Sequence, residues 1–412
     1  MQKLYHRYSE PVRIRFLGAF LTSITGSMLA PFMIIYLHEQ LDGNLLLPML
    51  IVGLQPLSDI IFTLLGGGIT DRYGRKQMMM IALFMQAISM AGFIFAESVF
   101  FFALLYVLNG IGRSIFIPAQ RAQIVDCTEV ERRSEVFSII STIESFAITI
   151  GPLLGLLVYS YQPDFIFGLE ALSLFLYAII VWLKLPETAP KQMTKEIETN
   201  SATSALTVQQ FLRKHHFVLG IMVFSIPISF FYSQVETNYK IFVQDLFPNY
   251  LTVLTIITTV KALMITFLQI VLVKWTEKLP MTKIVAISYL CFFISAIGFG
   301  FSTHLFWLLF TQLILTVGQS IGLNHFLRYV SELAPEQHRG LYFSLYGIHW
   351  DISRTVGPFV GGLLLLHGGG ELLFLLSAIF LIVGGIGQYL FVSYIHRKQM
   401  KNQQEKIILL HN

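Results

Sequence analysis

"GGGITDRYGRKQMMM", residues 66 to 80, sets three cations and one carboxylate between stretches that carry almost no charge. On either side the chain runs apolar for about 20 residues, the length a helix needs to cross the roughly 30 Å hydrocarbon core of a bilayer. Arg72, Arg75 and Lys76 cannot enter lipid, so they hold the segment at a membrane surface. Gly67 lets a neighbouring helix approach closely, and Gly74 permits a tight turn. Asp71 is placed to meet a helix N-terminus or an arginine of an adjacent helix. The stretch is a loop between two membrane spans, and its charges either latch one conformation or only fix topology.

The whole chain has the same character. Of its 412 residues 55% are hydrophobic and 13% charged, with a mean hydropathy of +0.67, which no water-soluble fold of this length can hide. Twelve apolar runs recur, at about 14–37, 45–68, 78–96, 98–119, 136–160, 165–184, 216–238, 249–273, 282–302, 305–327, 341–366 and 372–395. A transmembrane β-barrel would instead show short alternating segments. The expected fold class is an all-α integral membrane protein with twelve transmembrane helices in two six-helix bundles.

Lys3, Arg7, Arg13 and Arg15 precede the first run, which reads as a retained span with a cytoplasmic N-terminus. Of the 28 Lys and Arg, Arg113, Lys261 and Arg354 fall within spans and only Lys240 lies near the outer face. The rest are cytoplasmic, as the positive-inside rule requires when both termini are inside. The net charge of +4 reflects this bias and gives no reason to expect nucleic acid. A multi-pass protein of the cell membrane is the expected location.

Residues 185–215 are polar, Thr-rich and charged, and read as a cytoplasmic linker. They divide an N-terminal bundle, 1–184, from a C-terminal bundle, 216–396, with a cytoplasmic tail at 397–412. Slid by 206 positions, the chain matches itself: Gly112, Ser114 and Ile115 fall on Gly318, Ser320 and Ile321, and Gly151, Pro152 and Gly155 on Gly357, Pro358 and Gly361. An internal repeat at half the chain length in a helical membrane protein marks a transporter that works by alternating access.

Gly67, Asp71, Arg72, Gly74, Arg75 and Lys76 match G-x-x-x-D-R-x-G-R-K, and with the twelve spans and the duplicated halves the sequence resembles the major facilitator superfamily over nearly its full length. Glu277 and Lys278 stand as a faded second copy of the motif. The resemblance implies that the loop is a conformational latch. Gly151-Pro152-x-x-Gly155 resembles the span 5 motif that this superfamily associates with drug:proton antiporters; Ala147 and Leu156 depart from it, and Gly357, Pro358 and Gly361 repeat it in span 11. Read physically, each proline kinks its helix and each glycine permits close packing.

Polar residues that endure lipid carry the chemistry, at roughly 2.5–3.5 kcal/mol each at a helix centre on insertion scales. The acids read in this way are Asp59, Glu144, Glu236 and Asp351, and the bases Arg113, Lys261 and Arg354. A carboxylate in a cavity that meets each face in turn can pick up and release a proton, whereas one paired permanently with arginine is structural. Glu144, one turn before Ala147, is the first choice for proton coupling or for recognition of a cationic substrate, and Glu236 the second. The acid in span 7 resembles that of LmrP-like multidrug efflux proteins, whose acid in span 10 falls here at Gln319. Asp351 and Arg354 stand three apart on one helix face and suit an internal or a proton-sensitive pair. Arg113 suits Asp59 or Glu144 as a partner, and Lys261 any cavity carboxylate.

Phe230, Tyr232, Gln234, Asn238, Tyr239, Tyr346 and Trp350, with Gln319, are the expected lining of a cavity for amphipathic cations. The leading function is proton-driven export of hydrophobic or cationic compounds; proton symport of a metabolite and flipping of a lipid are the alternatives. No catalytic triad spacing, phosphate-cradling loop or metal-ligand cluster is present, so neither an enzyme nor a cofactor is expected. The expected partners are the lipid bilayer, small amphipathic substrates and protons, and the expected working unit is a monomer.

Overall fold

The computed structural model describes residues 8–65, 73–129, 132–188, 215–335 and 339–411. Gly67, Asp71, Arg72 and most of the linker lie outside the described residues. The described residues are helical with no strand. The helices are α1 (Glu10–Leu29), α2 (Met33–Gln40), α3 (Leu46–Leu65), α4 (Arg75–Phe93), α5 (Val99–Asp126), α6 (Arg133–Tyr161) and α7 (Asp164–Lys184). After the linker come α8 (His216–Glu236), α9 (Asn238–Leu246), α10 (Tyr250–Thr276), α11 (Met281–Phe301), α12 (Leu305–Leu333) and α13 (Arg339–His411).

Eight of these helices are long and apolar enough to cross a bilayer, or nine if α1 and α2 form one broken span. The break between α1 and α2 is a 48° bend at Pro31, which has no N–H to give the ladder. The runs expected at 341–366 and 372–395 both lie on α13, which breaks at Gly368 and at Gly369, where φ is +66°. Residues 397–411, expected as a tail, continue that helix.

Two compact units result. One comprises Met1–Ala205 with Val243–Ala262, the other Leu206–Phe242 with Leu263–Asn412. The division departs from the expected boundary at 216, because a piece of the chain's second half, Val243–Ala262, goes with the first unit. In the first unit α1 packs on α6 and α7, and α4 on α5 and α7. Its interior stacks Phe93 on Phe167 at 5.3 Å, with Tyr36 tilted on Phe167 at 4.5 Å. In the second unit α8 and α11 pack on α13 around Phe231, Phe299 and Phe374. Side chains such as Leu157, Phe267 and Trp275 are left largely exposed, as lipid-facing positions should be. Lipid is as apolar as leucine, so these helices are held by close contact rather than by escape from water.

The glycines supply that contact in the same register in both units. On α6, a Cβ at Gly151 would meet Ser27 Cβ at 2.5 Å, and one at Gly155 would strike the backbone of Met28. On α13, a Cβ at Gly357 would strike Ser233, and one at Gly361 would strike Gln234. Ser27 and Met28 stand 206 positions before Ser233 and Gln234, so the offset that aligns the glycines also aligns what they touch.

Candidate functional site

The described part of the charged loop is a built junction. Gly74 has φ of +96°, a turn conformation that side chains avoid, and a Cβ there would press on the Glu187 carboxylate. That carboxylate caps α4: Arg75 N donates to Glu187 Oε1 at 2.8 Å and Lys76 N to Oε2 at 3.2 Å. A negative group is favoured there by the orphan N–H groups and the helix dipole. The Arg75 guanidinium pairs with Asp126 at the end of α5 and donates to Ala122 O at 3.3 Å. Glu187, just past α7, therefore ties the segment after span 6 to the start of span 3. Nearby, Cys127 ends α5 half-buried; burial pushes its thiol up and Arg75 pulls it back down.

In the first unit Asp59 on α3, Glu144 on α6 and Lys261 on α10 are half-buried, and Arg113 on α5 is exposed. Among the described residues Glu144 has neither a hydrogen-bond nor an ion-pair partner. Sequence reasoning passed over two acids here. Glu170 on α7 is half-buried, its Oε2 buried with no hydrogen-bond partner, and its polar neighbours are Thr25 and Arg113. Glu39, near the end of α2, accepts from Tyr159 at 3.2 Å, Tyr250 at 2.9 Å and Gln244 at 3.4 Å. Those bonds help hold Val243–Ala262 to the first unit. Glu170 stood in plain view, the one charge between Asp164 and Lys184.

In the second unit Arg354 pairs with Glu236, 118 residues away, while its charge also acts on Asp351. Its Nε donates to Oε2 and its Nη2 to Oε1, both at 3.1 Å, a bidentate fork. The guanidinium also lies 5.5 Å from the Trp350 ring centre, and that ring in turn sits 5.5 Å from Tyr232. Asp351 is half-buried one turn back along α13.

Gln234 and Asn238 are fully buried rather than lining an open cavity. Gln234 Nε2 donates to Gly357 O at 3.0 Å, and Asn238 Nδ2 donates to Gln234 Oε1 at 2.7 Å and to Pro358 O at 2.9 Å. The missing side chains at Gly357 and Gly361 make room for these amides, which sew α8 and α9 to α13. Ser229 extends the seam, meeting Ser353 Oγ at 2.8 Å and His349 O at 3.0 Å. Tyr232, Tyr239 and Tyr346 are likewise buried, at 2, 2 and 3% exposure. Phe230, Gln319 and Trp350 are half-buried, so of the expected lining these three keep surface available. Among the described residues no group of His, Cys, Asp and Glu is arranged to hold a metal ion.

Comparison with known proteins follows the same lines. The Major Facilitator Superfamily model matches residues 15–251 and 250–407. YhjO of Bacillus subtilis (strain 168), an uncharacterised MFS-type transporter, is 46% identical over 395 residues, covering 96% of each chain. A Na(+), Li(+), K(+)/H(+) antiporter of Planococcus maritimus is 24% identical, over 95% of this chain and 98% of its own. The multi-drug resistance efflux pump PmrA of Streptococcus pneumoniae serotype 4 (strain ATCC BAA-334 / TIGR4) is 25% identical over 244 residues, 58% of this chain and 59% of its own. Among solved structures, a peptide transporter POT in complex with sulfate superposes with a TM-score of 0.73 at 15% identity, covering 94% of both chains.

Proposed function

The chain belongs to the major facilitator superfamily, and from that premise we propose that it exports hydrophobic or cationic compounds in exchange for protons by alternating access. It is a multi-pass membrane transporter and not an enzyme. The observation that carries the antiport reading is Glu144, half-buried on α6 with no fixed partner among the described residues. A membrane carboxylate with no permanent counter-ion is free to alternate between a proton and a cation. Glu236 is held in a fork by Arg354 beside Trp350, an arrangement suited to a charge that is released when the pair opens. The relative PmrA, an efflux pump by name, supports the direction of transport. In this reading the protein makes twelve passes of the cell membrane with both termini in the cytoplasm, works as a monomer, and uses the junction of Gly74, Arg75 and Lys76 as a latch.

Exchange of an alkali cation for protons is a second reading, favoured by the antiporter from Planococcus maritimus. One experiment separates the two. In acid-loaded liposomes containing the purified protein, a pH dye should report proton release on addition of ethidium. Release on addition of sodium or potassium instead supports the second reading, and no release with any of them refutes both.

A further inference from the structure

We propose that Glu170 carries the coupling proton, held inside the first unit on the face of α7 that meets α1. The inference rests on the proton-coupled reading above and adds a residue to it. Glu170 is the seventh residue of the 21-residue helix α7, roughly 9 Å along the axis from its first residue. Its Oε2 is buried with no hydrogen-bond partner, an expensive condition for a group that exists only to fasten helices together. Gly26 of α1 opens the space in front of it, since a Cβ there would lie 3.7 Å from Oε1.

The same face continues toward the cytoplasmic end of α7. Ser173, one turn on, is also buried with an unpartnered hydroxyl. Tyr177, one further turn on, is buried and accepts from Arg15 Nη1 at 3.3 Å. Gly18 of α1 has no side chain where the Tyr177 ring lies. Glu170, Ser173 and Tyr177 thus form a polar file along a helix that is otherwise apolar between its ends, facing the glycines of α1.

The surrounding charges suit one mobile proton. Around Glu170, α1 brings Thr25, which hydrogen-bonds the carboxyl, and α5 brings Arg113. On α4 no residue from Met78 to Phe93 is ionisable, and α6 brings Glu144 and Tyr159 to the unit, the latter already donating to Glu39. Protonation forms one O–H bond at Glu170 and removes a counter-charge that Arg113 feels; release restores it. Nothing else is transferred.

The test uses the full-length protein in liposomes with ethidium as the probe, measuring proton flux driven by substrate and ethidium counterflow at equal pH on both sides. Glu170→Gln should lose proton flux by about a hundredfold or more, the scale of a removed proton-transfer group. Its counterflow, which needs no net proton movement, should stay within about twofold of the parent, and Glu170→Asp should keep flux with a displaced pH profile. Unchanged flux in Glu170→Gln overturns the inference, and so does equal loss of flux and counterflow in both variants, the mark of a packing role. Absence of ethidium-dependent flux in the parent protein would instead sink the antiport reading itself.

Discussion

The glycines of α6 and α13 invite a quantitative comparison, because an added methyl meets different obstacles at equivalent places. At Gly361 the obstacle is Gln234 Oε1, the end of a side chain; at Gly155 it is the backbone of Met28. Gly361→Ala pushes Gln234 aside and with it the bonds from Asn238 at 2.7 Å and to Gly357 O at 3.0 Å. Two such bonds are worth about 1–3 kcal/mol and overpacking adds about 1–3, so a loss of about 2–6 kcal/mol is expected. For a unit of this size that lowers the melting temperature on the order of 10 °C in detergent. Gln234→Ala removes the tighter obstacle and leaves Asn238 Nδ2 at 2.6 Å, so in the double variant the two losses should fall short of their sum by about 1–2 kcal/mol. Gly155→Ala should cost at least as much as Gly361→Ala, and Met28→Ala should not relieve it, since shortening a side chain leaves the carbonyl in place. The readout is thermal unfolding of the purified protein followed by a thiol-reactive dye. A Gly361→Ala variant that melts with the parent, or a double variant whose losses simply add, would refute this account of the α8–α13 seam.

Three further outcomes follow from the geometry. Glu187→Ala removes the cap of α4 and should cost about 1 kcal/mol in the same melt, while Glu187→Asp recovers part of it; no loss would mean that the carboxylate does not cap in the membrane. Glu236→Gln breaks a pair whose side chains are 39% and 47% exposed, so stability should fall by less than about 1 kcal/mol while ethidium export falls steeply. A large stability loss with export intact would reverse that assignment. Cys127, its thiol pushed up by burial, should react slowly with maleimide at neutral pH and faster as pH rises; Arg75→Gln removes the charge that pulls the thiol down, so its thiolate fraction falls and labelling slows further. Labelling of the parent at the rate of a free thiol would contradict the burial.

Packing was legible in the sequence where it follows from a local rule. Gly151, Gly155, Gly357 and Gly361 announce close contact because only a missing side chain allows it, and Gly74 announces a turn because few other residues accept its φ. Pairing was less legible because partners come from afar. Arg354 has Asp351 three residues away, yet the bidentate fork with Glu236 needs the approach of α8 to α13, which no spacing reveals. Gln234 and Asn238 look like cavity residues by composition, and only the room left by Gly357 and Gly361 explains why they turn inward to backbone carbonyls. Glu187 lies in a polar segment where one more acid draws no notice, and its meaning appears only when it meets the N–H groups of Arg75 and Lys76.

The repeat separates what the fold requires from what it does not. Gly151, Pro152 and Gly155 recur as Gly357, Pro358 and Gly361, and they rest on residues at the same offset. Three charges within the spans do not recur. At that offset Arg113 meets Gln319 and Glu144 meets Trp350, while Glu170 meets Leu376. One architecture is thus built twice, once with ionisable side chains at these places and once with an amide, an indole and an aliphatic chain. A charge whose counterpart in the other copy is neutral without loss of the glycine contacts is not required for those contacts. The second unit instead keeps its ionic chemistry in the fork of Glu236 and Arg354, set against Trp350, the positional counterpart of Glu144. The repeat thus leaves Glu144 and Glu170 to the first unit alone, and the fork beside an aromatic ring to the second.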